Sequence, residues 1–192
     1  MKRTLFLLGS LAFAQSSLEP PLAGIVRGAD NRIRRIHGVA GNFLAPRPGG
    51  EEALGFASSG RFALRKTDGE ILVLDAGGSV TRRLRAPGGP ALFAFDAAGE
   101  PALAWFPDSR EMWRLAPFER VAFESGVPVF SIAVGEGGSI RVNDFAIEGY
   151  AAPARVQQMS ERLFHLLLDD GRSLCVRTGA GAGAWELPEA AR

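Results

Sequence analysis

The chain has one cysteine and two histidines. Cys175 and His165 are the first residues to weigh, because a thiolate beside an imidazole is a nucleophile. Cys175 lies in the alternating run RSLCVRT. There Leu174 and Val176 share one strand face, and Cys175 shares the other with Ser173 and Arg177. His165 sits in the preceding segment, where a cross-strand pairing would bring it to the thiol. A packed, inert thiol is the simpler reading. Asn143, Asp144 and Glu148, together with Asp169 and Asp170, carry the oxygens a hard cation wants. Their spacing matches no calcium loop, and turn and edge roles account for them. Residues 178–185 (TGAGAGAW) superficially resemble a phosphate-cradling glycine loop, which needs a helix N-terminus after it. The run that follows, Trp185-Glu186-Leu187-Pro188, is strand-like, so a hairpin loop is expected. No Gly-x-Ser-x-Gly elbow occurs, and His37, beside Gly38 in a turn-like stretch, reads as structural. No residue is assigned a catalytic, cofactor-binding or metal-binding role, and no cofactor is expected.

The elements that position these residues read as short strands. In residues 53–87, four alternating runs are separated by Ser59-Gly60, Asp68-Gly69 and Gly77-Gly78. An Asp-Gly between such runs predicts a hairpin, because both residues tolerate the positive φ of a type I′ turn. Residues 91–125 repeat the plan. A shorter unit precedes them, with Ile25-Val26 and Ile33-x-x-Ile36 flanking an Asp30-Asn31 turn. Over Ala154–Leu168 a partial helical spacing competes with a strand parse. The strand parse has one run ending near Gln158, a turn at Ser160-Glu161 and a second run from Leu163 to Leu168. It fits the repeat and is preferred.

Anchored on Gly60, Gly99, Gly138 and Gly171, the units recur at intervals of 39, 39 and 33 residues. Trp113 and Leu115 stand 14 and 16 residues after Gly99, as Trp185 and Leu187 do after Gly171, and Leu74 stands 14 after Gly60. Periods of this length built from four short strands mark β-propeller blades, since one small sheet has neither face covered until neighbours stack on it. The repeat style resembles the divergent propeller repeats of the WD, NHL and YVTN type, and above all those of secreted bacterial propellers. The resemblance spans roughly residues 22–188 and is architectural, because no His-then-Trp-Asp signature is present. The lactonase and esterase propellers hold a central metal with Glu, Asn and Asp, but no motif here matches theirs residue by residue. The fold expected is all-β: a small β-propeller of about four or five short four-stranded blades, with a partial propeller or a β-sandwich as the alternatives. The third unit is the weakest, because glycines and Pro153 blur its outer strands.

The chain is 192 residues with 46% hydrophobic and 22% charged side chains, which argues against disorder, collagen and a polytopic membrane protein. Its first residues follow an export pattern. Lys2-Arg3 precedes the apolar stretch Thr4–Phe13, and Ala12-Phe13-Ala14 offers a cleavage site before Gln15. Such a stretch is too short to cross a bilayer, and no cysteine follows it for lipid attachment. The expected organisation is a signal peptide over 1–14, a linker over 15–21 and the repeat domain over 22–192, in a secreted or periplasmic protein. Loss of Lys2 and Arg3 takes the formal charge from +1 to about −1. Arg32, Arg34 and Arg35, and Arg82, Arg83 and Arg85, lie in strand-like runs without stacking aromatics. They read as solvated faces rather than a nucleic-acid surface. The aromatics Trp105, Trp113, Trp185, Phe93, Phe95, Phe106 and Phe118 are expected between sheets; a glycan-binding rim is the other use for them. The functional expectation is an exported, non-catalytic module that binds a protein through its propeller face. Its rivals are a hydrolase with a channel metal and a glycan binder.

Overall fold

A computed structural model describes residues 20–44, 50–145, 147, 150 and 153–188; the expected signal peptide lies outside them. Among the described residues, apart from one 3-10 turn at Glu136–Gly138, every regular element is a β-strand, including the stretch with helical spacing. The first sheet holds β1 (Leu22–Arg27), β2 (Ile33–Val39) and the short β3 (Asn42–Phe43). The second is a meander of β4 (Gly55–Ser58), β5 (Phe62–Lys66), β6 (Glu70–Asp75) and β7 (Val80–Arg85). The third repeats it with β8 (Leu92–Phe95), β9 (Pro101–Phe106), β10 (Glu111–Leu115) and β11 (Phe118–Val121). A two-stranded ribbon follows, β12 (Ile132–Val134) and β13 (Ile140–Val142). The last sheet is again a meander: β14 (Arg155–Gln158), β15 (Leu163–Leu167), β16 (Ser173–Arg177) and β17 (Gly183–Glu186). Within these sheets the described strands pair antiparallel with their sequence neighbours, and an isolated antiparallel bridge joins Arg32 to Glu52.

The packing makes these sheets the four blades of a small β-propeller, with the ribbon standing where the third repeat unit was read. Alternation along each strand sends successive side chains to opposite faces, and here both faces are buried by neighbours. Leu103 and Trp105 of β9 pack with Ile132 of the ribbon, while Ala104 and Phe106 pack against Leu64, Ile71 and Val73 of the second blade. The second blade's other face, Phe56, Ala63 and Leu74, meets Ile25 and Ile33 of the first. In the last blade, Leu166, Leu174 and Val176 pack with Phe145 and Ile147 from the chain after the ribbon. Its Cys175, Met159 and Leu187 pack with Val26 and Ile36 of the first blade. Five apolar interfaces thus run round a closed ring. A sandwich would bury one face of each sheet, so that alternative is excluded. Among the described residues, three of the blades have the expected four strands and the first has three.

The turns explain the repeat and correct part of it. Gly60, Gly99 and Gly138 join first to second strands, with φ of 89°, 80° and 77°. Asn31, at φ 61°, does the same for the first blade. Gly171 instead joins the second strand of the last blade to its third, so the equivalence of Trp113 and Trp185 fails: Trp113 lies on a third strand and Trp185 on a fourth. The phase slips because the unit before it ends after two strands. The Asp68-Gly69 hairpin forms, but neither residue takes the positive φ of a type I′ turn. The ammonium of Lys66, a fully buried side chain, donates to Thr67 O at 2.5 Å and Asp68 O at 2.7 Å. That capture satisfies the turn's carbonyls from inside.

The first and last blades are joined by a side chain. Arg27 N donates to Gln157 Oε1 at 3.0 Å, and Gln157 Nε2 donates to Ile25 O at 2.9 Å. The amide pairs with the edge of β1 as a peptide group would. Gln157→Leu keeps the volume and leaves two buried backbone groups unpaired. It should lower stability by about 2–4 kcal/mol in urea unfolding, and an unchanged midpoint would refute this closure.

Candidate functional site

The turns joining first to second strands in the second, third and last blades, at Ser59–Arg61, Asp96–Gly99 and Glu161, share one mouth, where a cavity of about 530 Å³ opens. Its floor is apolar: Phe93 and Phe95 of β8, Ile132 and Val134 of β12, and Val156 of β14, with Phe145 and Phe164 beside them. The rim carries Arg61, Asp96, Arg141, Gln158 and Glu161. Rim charges are largely spoken for. Arg61 donates to Ala98 O at 2.8 Å and pairs with Glu100 at 3.3 Å, and Arg141 pairs with Asp144 at 2.7 Å. Asp96 Oδ1 accepts the backbone N–H groups of Ala98 and Glu100, each at 2.9 Å. These contacts stiffen the rim, and Ser59 Oγ, 2.7 Å from Gly99 O, ties two blades together at the same mouth.

The cysteine and histidine do meet. His165 and Cys175 are directly opposed across β15 and β16. Both are buried, and burial decides their chemistry. It pushes the thiol up to about 12, so the sulfur stays protonated at neutral pH. It pulls His165 down to about 3, with Arg155 and Arg27 adding repulsion. A neutral thiol opposite a neutral imidazole makes no ion-pair nucleophile.

The Asn143 amide is occupied: its Oδ1 accepts Phe130 N at 2.9 Å, and its Nδ2 donates to Pro128 O at 2.8 Å. Asp170 lies in the β15–β16 turn and pairs with Arg172 at 2.7 Å; Glu148 lies outside the described residues. Among the described residues, no three His, Cys, Asp or Glu side chains converge as metal ligands would. The glycine run joins β16 to β17 as a loop, with Arg177 Nε donating to Gly181 O at 2.8 Å. His37 Nδ1 lies 3.0 Å from Pro20 O.

Trp105 and Trp113 are buried between sheets. Trp185 is half-buried beside Phe43, with ring centroids 6.4 Å apart, and lines a shallow depression between β3 and β17. Phe118 departs from the expected packing: it is 55% exposed at the outer edge of the third blade, against Trp113. The arginine runs are exposed or surface-paired, Arg83 with Glu70 and Arg32 with Glu52, except Arg34, which is mostly covered and bound to Asp30.

Sequence reasoning missed a buried polar group between the last and first blades. Arg27, Gln157 and His165 are buried, and Arg155 is mostly so. Arg155 Nη2 donates to Arg27 O at 2.5 Å, and Arg27 Nη1 donates to Leu54 O at 2.8 Å and Asn31 Oδ1 at 2.9 Å. Burial lowers Arg27 to about 10 and Arg155 to about 9, the latter also through Arg27; both stay charged at neutral pH. The available signal was weak: Arg155 and Gln157 alternate with Val156 as on any solvated strand.

The fold and mouth define a small β-propeller with a pocket on one face. No family model matches the chain, and no curated protein does. Among solved structures it is similar to the β-propeller domain of Cps50 (Swd1) from Myceliophteria thermophila, at 16% identity and a TM-score of 0.31 over 70% of this chain and 38% of that one. It is also similar to the hydrazine synthase of Kuenenia stuttgartiensis, at 15% identity and a TM-score of 0.40 over 83% of this chain and 48% of that one. The chain therefore spans less than half of either. The propeller assignment rests on the sheets and the five interfaces.

His165 makes stability depend on pH. It is neutral in the fold, whereas the unfolded chain protonates it below 6.5. Between pH 6.5 and 3 the unfolded state binds more protons, so stability falls as pH falls, by up to about 1.4 kcal/mol per unit. His165→Phe should flatten that slope in denaturant titrations from pH 7 to 4. An equal slope in both proteins would show that the histidine is not held neutral.

Proposed function

We propose that this protein is an exported, non-catalytic binding module that grips a segment of another protein in its face pocket. The observation that carries the reading is the pocket itself: an apolar floor large enough for bulky side chains, rimmed by hydrogen-bonding groups on fixed turns. The rim is nearly balanced in charge, which favours an apolar anchor with polar flanks over a highly charged ligand. A propeller presents such a mouth on a rigid ring, so little ordering cost falls on its own side.

A random peptide library selected on the purified protein tests this. The expected outcome is enrichment of peptides with an aromatic or aliphatic anchor that bind the wild type at least about tenfold more tightly than Ala97→Trp, at an unchanged melting temperature. Ala97 is exposed on the rim, so the indole obstructs the mouth without entering the core. Enriched peptides that bind the variant equally well, or no enrichment, would overturn the pocket as the binding site.

Export is tested separately. Residues 1–14 carry the n-region, apolar stretch and small-x-small pattern that support it. N-terminal sequencing of the protein recovered outside the cytoplasm should begin at Gln15. A chain retained in the cytoplasm with Lys2 and Arg3 intact would refute export.

A further inference from the structure

The ribbon stops after two strands, and its register identifies what it leaves open. Gly135 N donates to Ser139 O, and Asn143 N donates to Ser131 O. Midway between them, Ala133 and Arg141 are therefore a hydrogen-bonded pair, while Ile132–Val142 and Val134–Ile140 are non-hydrogen-bonded pairs. The N–H and C=O groups of Ile140 and Val142 consequently point away from β12, along the outer edge of β13. Asn143, at φ 53°, turns the chain off the strand line, and its amide holds residues 128–130. Among the described residues, no strand pairs with this edge.

The outer edges of the second and third blades are built differently. β7 exposes Arg82, Arg83 and Arg85, and β11 carries Glu119 and Arg120, the charged pattern that deters strand addition. β13 presents one charge, Arg141, between Ile140 and Val142. Those two side chains are half-buried and join the apolar cluster under the third blade. Among the described residues this edge is thus short of strands, open in hydrogen bonding and continuous with a core.

We propose that the outer edge of β13 accepts an extended segment of a partner protein as a third strand, read as apolar–acidic–apolar at its three paired positions. The backbone of that segment meets the open groups of Ile140 and Val142, and its apolar side chains extend the face those residues cover. Its acid lies opposite Arg141, which is 57% exposed and shared with Asp144. A second copy of this chain is a poorer occupant. Antiparallel pairing of two β13 strands over all three residues sets Arg141 against Arg141 in the close, non-hydrogen-bonded position, where like charges repel.

The probe is a fluorescent, amidated heptapeptide, Ser-Thr-Val-Glu-Val-Thr-Ser, titrated by anisotropy against the protein. Saturable binding is expected, weakened about five- to tenfold when its glutamate is replaced by lysine. N-methylation of its two valines should abolish binding, because their N–H groups are the ones that face β13. Ile140→Pro removes an open donor that the ribbon does not use, and Ser139, at φ −62° and ψ 147°, already suits a following proline. It should cost at least about tenfold in affinity, titrated well below the variant's own melting temperature because Ile140 also packs under the third blade, while Ala97→Trp leaves this binding intact and so separates the edge from the face pocket. If Ile140→Pro does not fold, the N-methylated peptide decides. No saturation up to about 1 mM, equal binding of the lysine or N-methylated peptide, or a wild-type dimer in sedimentation that Ile140→Pro dissociates would each overturn the proposal.

Discussion

The seam between the last blade and the first turns on a side-chain amide acting as backbone. Gln157 gives its oxygen to Arg27 N and its nitrogen to Ile25 O, joining the last blade to the first. A propeller sheet has no exposed face to fall back on, since each needs a neighbour on both sides. If the seam opens, Cys175, Met159 and Leu187 lose Val26 and Ile36, and two faces meet water together. A side chain can close the seam because, among the described residues, the first blade ends with a two-residue strand, β3, and has no fourth strand to exchange.

That seam is costly in charge. Arg27 and Arg155 sit close enough to repel, and among the described residues no carboxylate pairs with either. Their compensation is carbonyl oxygen: Arg155 on Arg27 O, Arg27 on Leu54 O. His165 yields by staying neutral, its Nδ1 buried without a partner. Polar contacts with so few admissible arrangements favour one register of last blade on first. Lys66 follows the same logic within a blade, giving its charge to the carbonyls of its own turn.

Much of this was legible along the chain. Glycine turns at Gly60, Gly99 and Gly138 and the alternation between them located most strands of the two central blades. The strand parse of residues 155–167 was readable because it agreed with the repeat where local spacing did not. The errors have one origin. Gly171 looks like the preceding anchors because every tight turn between short strands needs the same backbone freedom, so a turn's residue type does not say which turn of a blade it is. Asp68-Gly69 misled for a related reason: a buried ammonium contributed by Lys66 took over what the turn's own φ angles were expected to supply.

The face pocket and the open edge of β13 were not legible at all. Phe93, Val134, Val156 and Phe164 look like any core residues in their strands; they line a cavity only because four separate units converge at one mouth. By itself, the sequence determined strand alternation and turn positions, since period-two burial and left-handed backbone are local properties. Tertiary structure decided how many strands each unit keeps, which polar side chains are buried and where the ring closes. Those depend on contacts between residues as far apart as Ile25 and Gln157, and no local pattern encodes that distance.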